Sequence, residues 1–166
     1  GVGTDILSTE RMRRLIDAFG EVFLTRTFTA AEREVADSRP HPLLYYCTRF
    51  AAKEAVFKAL APPGDAGCDP REVEVLGDRT GFPHITLRGR LEQLAAAKSV
   101  GTISVSVSDE QDYVIAFAVA ETVGGFRSRN QSTPVCQGTS SQALRQPARA
   151  KRLHPLLPSR TRRDRR

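Results

Sequence analysis

The chain has 166 residues, 40% apolar and 27% charged, which suits one folded domain with an appendage. Its net charge of +6 is unevenly placed: residues 124–166 carry 11 Lys and Arg against one acid, Asp164 (net +10), whereas residues 1–123 carry 14 against 18 (net −4). A basic tail on a mildly acidic globule excludes reading the overall basicity as a nucleic-acid surface on the folded part.

Residues 1–7, glycine-bearing and closing near Asp5, read as a short strand. Ser8 or Thr9 caps a helix through about Phe19, with Met12, Leu15, Ile16 and Phe19 at helical spacing, and Gly20 ends it. Thr29 and Glu32 form a capping box that opens a second helix to about Ser38. Pro40 and Pro42 interrupt the chain, and a longer helix covers 43–60, stopped by Pro62, Pro63 and Gly64. Residues 72–76 alternate as a half-buried strand, 78–83 carry turn chemistry, and 84–88 form the returning strand. A short Ala-rich helix covers 91–98. Strands at 102–108 and 113–121 then flank a turn at 109–112. The globule is α+β, an antiparallel sheet packed with helices. Residues 124–166 are rich in Ser, Gln, Pro and Arg without periodicity and read as a disordered basic tail.

The longest apolar run, 114–120, is seven residues, against about 20 for a membrane-spanning helix, so no membrane role is expected. No secretory signal opens the chain, and the missing initiator methionine suggests a trimmed start. Cys47, Cys68 and Cys136 are odd in number and lack a CxxC spacing. That disfavours a zinc site or disulfide framework and points to a reducing cytoplasm.

The helix over 43–60 is apolar nearly all round, which marks it as buried, yet it carries Arg49, Lys53, Glu54 and Lys58. Glu54 and Lys58 share one face, as do Arg49 and Lys53, each pair one turn apart. Two readings fit this spacing. The four charges form a solvent stripe, or they meet partners and ligands that cover their desolvation. Asp5, where a strand leaves the sheet, favours the second. With Glu54 it would form a hard-cation site of the kind magnesium takes, completed by waters and phosphate oxygens. Lys58 would bring a point charge to the same phosphates.

These residues carry a resemblance. Residues 1–6, GVGTDI, resemble the opening GIGxDI of the short 4′-phosphopantetheinyl transferases, the holo-[acyl-carrier-protein] synthases. Residues 49–59, RFAAKEAVFKA, resemble that family's central RFAAKEAxxKA. Gly81-Phe82-Pro83 is similar to its GKP turn, and Ser106-Val107-Ser108 to its SxSH element. The resemblance covers residues 1 to about 122. It implies a 4′-phosphopantetheinyl transferase fold and transfer of the phosphopantetheine arm of coenzyme A to a serine of an apo acyl carrier protein, releasing adenosine 3′,5′-bisphosphate. It further implies Asp5 and Glu54 as magnesium ligands and Lys58 as the stabiliser of pyrophosphate charge. Arg49, Gly81, Pro83 and Ser108 are implied as coenzyme A contacts. Arg11, Arg14 and Arg26 would form the carrier-protein surface. A homotrimer with each site between two subunits is implied as well. For the proton of the serine hydroxyl, Glu54 and a metal-bound water are both available.

The chain departs from the family where SxSH has histidine: it has Asp109, a carboxylate that would repel phosphates unless it reaches the magnesium or turns to solvent. Two rival functions follow from single features. Asp109 would suit a non-catalytic relative that binds carrier protein or coenzyme A. The cluster at 160–166 would give the tail weak, salt-sensitive contact with polyanions.

Overall fold

A side chain at position 3 would collide with the main chain of the central helix, and this close approach organises the molecule. In the computed structural model, which describes residues 1–64, 67–78 and 81–124, a Cβ on Gly3 would lie 2.0 Å from the carbonyl oxygen of Ala55. The first strand, β1 (Val2–Ser8), therefore lies directly on the long helix α3 (Pro42–Leu60). β1 is an edge of a three-stranded antiparallel sheet in the order β1-β5-β4, with β4 spanning Val100–Glu110 and β5 Tyr113–Thr122. Asp5 stands opposite Ala116, and Ser108 opposite Ile115. The inward face of β5 is Val114, Ala116, Ala118 and Ala120, all buried. α3 answers with buried Ala51, Ala52, Ala55 and Ala59. Small residues on both surfaces let helix and sheet backbones approach closely, as dense interiors require.

The remaining elements surround that core. Helix α1 (Thr9–Thr27) is capped by Ser8, whose hydroxyl accepts from the Arg11 amide. Gly20 leaves helical geometry (φ 52°, ψ −136°), so the first helical segment stops there as expected, and a second segment that was not expected continues to Thr27. Beyond the kink Phe23 and Leu24 pack on the core, with Phe23 edge-on to Phe28, so tertiary burial restarts the helix that glycine interrupted. Helix α2 (Ala30–Asp37) opens on the expected capping box. The Thr29 amide donates to Glu32 Oε2 (2.8 Å) and the Glu32 amide to Thr29 Oγ1 (3.3 Å).

A two-stranded ribbon, β2 (Val73–Gly77) and β3 (Pro83–Leu87), and helix α4 (Gly89–Ala97) complete the fold. The half-buried alternation expected over 72–76 does not hold. Glu72 belongs to a 3-10 turn, and Glu74 is buried between Val73 and Val75, with Arg88 covering its carboxylate at 2.8 Å. The ribbon turn forms where its chemistry placed it, with Gly81 at φ 90°. The final hairpin turns more tightly than expected, since the strands run to Glu110 and from Tyr113 around Gln111 at φ 48°. The disordered tail expected over 124–166 lies, but for Gly124, outside the described residues. No helix among the described residues is long and apolar enough to cross a membrane.

Candidate active site

Strand alternation puts Asp5 on the inward side of β1, between buried Gly3 and Leu7, so its carboxylate faces α3 rather than solvent. There it meets Lys58, whose ammonium donates to Asp5 Oδ1 (2.7 Å) and to the Thr4 carbonyl (2.9 Å). Glu54, one turn before Lys58 and half-buried, shares this environment. Burial and then the charge of Asp5 push its carboxyl above the usual range, against the opposing pull of Lys58 and Arg11. Two carboxylates whose charges penalise one another create a demand for a cation. Two protein carboxylates are what magnesium commonly takes when phosphate and water supply the rest. Among the described residues no group of three or more His, Cys, Asp or Glu competes as a metal site.

A cavity of about 170 Å³ opens beside Glu54, lined also by Lys53, Phe57, Cys68, Pro70 and Leu91. A second, of about 370 Å³, lies near the N-terminal half of α3 and joins Arg49 and Gly81. It also contains Arg39, His41, Tyr45 and Asp109. The exposed Asp109 thus stands at the wall of the Arg49 cavity. Ser108, its neighbour on β4, is exposed, and Pro83 opens β3 opposite Gly77 without lining this cavity.

The arginines proposed for docking divide. Arg11 is exposed on α1 and close enough to act on Glu54. Arg14 is exposed but bonded to Glu10 (2.9 Å), so part of its charge is matched. Arg26 is exposed beyond the kink, in the last turn of the helix.

The ion pair that holds the frame is not legible in the local sequence. Lys53, placed with Arg49 on a possible solvent stripe, is 3% exposed and paired at 2.8 Å with Glu32, itself fully buried. Its ammonium also donates to the Pro70 and Val73 carbonyls, while Glu32 Oε1 accepts from the Val75 amide (2.8 Å). The available signal was composition: a lysine on a helix apolar nearly all round needs a buried acid, and Glu32 was visible only as a cap.

Known proteins resemble this chain in sequence and in fold. Residues 1–118 match the 4′-phosphopantetheinyl transferase superfamily. The chain is 39% identical over 120 residues to the holo-[acyl-carrier-protein] synthase of Desulforudis audaxviator, covering 72% of this chain and 91% of that one. The crystal structure of the synthase from Neisseria meningitidis superposes with a TM-score of 0.68 at 35% identity, over 74% of this chain and 98% of that one. A synthase from Bacillus anthracis in complex with coenzyme A (3′,5′-ADP) superposes at 0.60 with 26% identity, over 74% and 96%. With the family match over residues 1–118, sequence identity and fold in accord, the chain belongs to the 4′-phosphopantetheinyl transferase superfamily.

Proposed function

We propose that this chain transfers 4′-phosphopantetheine from coenzyme A to a serine of an apo acyl carrier protein. The observation that carries this reading is the convergence of Asp5, Glu54 and Lys58 on one spot of the family scaffold, held there by the Gly3 contact. Asp5 and Glu54 would hold magnesium, which would neutralise pyrophosphate oxygens. The serine oxygen bonds to the β-phosphorus of coenzyme A, the bond from that phosphorus to the bridging oxygen breaks, and adenosine 3′,5′-bisphosphate leaves with the electron pair. Glu54 is the acceptor on this chain for the serine proton, a half-buried carboxylate beside Asp5 and Lys58. Lys58 turns its ammonium from Asp5 to the pyrophosphate as charge develops there. Arg49, the Gly81–Pro83 turn and Ser108 hold the nucleotide end.

Arg11, Arg14 and Arg26 offer α1 to an acidic carrier helix, giving a positive patch on an otherwise acidic globule. Exposed Val2, Ile6, Ile115 and Phe117 lie on the outer sheet face, Ile6 opposite Ile115. Such an apolar face supports a homotrimer that buries it and completes each site from two subunits. The free thiols Cys47 and Cys68 suit a reducing cytoplasm.

The test incubates the chain with coenzyme A, magnesium and apo carrier protein, and weighs the carrier by mass spectrometry. The carrier gains the phosphopantetheine mass, and Glu54→Ala lowers the rate by roughly a hundredfold or more, the usual scale for a lost electrostatic group. A carrier of unchanged mass defeats the transferase reading, and full activity in Glu54→Ala defeats the site assignment. Removing residues 124–166 leaves the transfer intact if the tail only contacts polyanions.

A further inference from the structure

The wall of the Arg49 cavity contains a ring that none of the roles above uses. Tyr45, one turn before Arg49 on α3, is 8% exposed. The guanidinium of Arg49 lies over its ring at 4.4 Å from the centroid, and that of Arg39 at 5.9 Å. Among the described residues neither arginine is ion-paired, and Arg49 reaches only the Thr48 hydroxyl, at 3.5 Å. The buried Tyr45 hydroxyl and the Arg49 Nε both lack a hydrogen-bond partner. The ring is therefore in use and the hydroxyl is not.

An aromatic face restrains a guanidinium differently from a carboxylate. A carboxylate would occupy the in-plane N–H donors and cancel the charge, whereas a ring attracts the cation through its face and leaves both available. Two such cations, with His41 beside them, outweigh the one carboxylate in the cavity, Asp109. That combination suits a phosphate-bearing ligand.

We infer that Tyr45 is a positioning residue for coenzyme A, whose ring holds Arg49 and Arg39 with their donors free for the phosphates of the nucleotide end. The inference rests on the reading that Arg49 contacts that part of coenzyme A. It adds Arg39 to the phosphate-binding groups and gives Tyr45 a role through its ring alone.

The test measures binding of adenosine 3′,5′-bisphosphate by calorimetry to the full chain and to Arg49→Ala, Tyr45→Phe and Tyr45→Leu. Tyr45→Met, longer and more adaptable in packing, replaces the leucine variant if that one fails to fold, as judged by circular dichroism and thermal melting. Tyr45→Phe keeps the ring and binds as the unaltered protein does. Tyr45→Leu binds roughly three- to thirtyfold more weakly, the range of a partly desolvated cation–π contact. Its kcat at saturating coenzyme A is unchanged while KM rises, a split that general loosening of the fold would not produce. In the Arg49→Ala background the leucine substitution costs distinctly less, because its main partner is gone. Equal affinity in Tyr45→Leu and the unaltered protein, with Arg49→Ala weakened, overturns the role of Tyr45 alone. Equal affinity in Arg49→Ala overturns the assignment of this cavity to the nucleotide, and the inference with it.

Discussion

Arg49 and Lys53 stand one turn apart on the same helix and meet opposite fates. The Lys53 ammonium is buried and spends its three donors on Glu32 and on the carbonyls of Pro70 and Val73. Arg49 is half-buried, stacks on Tyr45 and keeps its charge unpaired. The contrast follows from the shapes of the two cations. A compact ammonium can be saturated by three acceptors in a closed pocket, whereas a planar guanidinium lies flat on a ring with its edge still open. One cation closes the fold and the other opens the site. Identical spacing and identical formal charge therefore do not imply one role.

The largest expected effect tests the closed half of this comparison. Lys53→Met strands the buried Glu32 carboxylate and is expected to cost about 3–5 kcal/mol, read from the urea midpoint. Adding Glu32→Gln removes the second charge and recovers most of that loss. Arg49→Ala, by contrast, costs less than about 1 kcal/mol of stability. A Lys53→Met protein as stable as the unaltered one would break the comparison.

A smaller effect concerns how the site is brought to the helix. Gly3→Ala drives a methyl group into the Ala55 carbonyl and is expected to cost about 1–3 kcal/mol. Because the strand must move outward and take Asp5 with it, kcat falls further than the melting temperature predicts. Activity that tracks stability alone would show that Asp5 does not depend on this contact.

The smallest effect is a pH dependence. Burial and Asp5 raise the Glu54 carboxyl above its ordinary value of 4.5, so the folded chain holds that proton more tightly than the unfolded one. The stability this contributes is complete below about pH 4.5 and is lost as the pH rises through the raised value. Melting curves recorded in chelator between pH 4 and pH 8 read it, and Glu54→Gln flattens the trend. An unchanged trend in Glu54→Gln would place the titration elsewhere.

Much of the fold was legible because its signals are local. The Thr29–Glu32 capping box, the turn ending at Pro83 and the apolar circumference of α3 each announce themselves within a few residues. Other features depend on distant surfaces that no local signal reports. Gly20 does break the helix, but nothing beside it announces the second helical segment that the burial of Phe23 and Leu24 sustains to Thr27. Glu74 looked like the solvent side of a strand until Arg88 and the surrounding chain covered it.

By itself the amino-acid order determined which groups could do chemistry: an acid at the end of a glycine-bearing strand, and an acid and a base one turn apart on a buried helix. Periodicity, capping and residue type operate over a few bonds, so they survive without knowledge of the rest. Only the tertiary structure decided the partners. It joined Lys58 to Asp5 across 53 positions, the Val75 amide to Glu32 across 43, and Arg39 and Arg49 to a single ring. Side chains so far apart along the chain meet only through packing, here through alanines and a glycine small enough to let one strand rest on one helix.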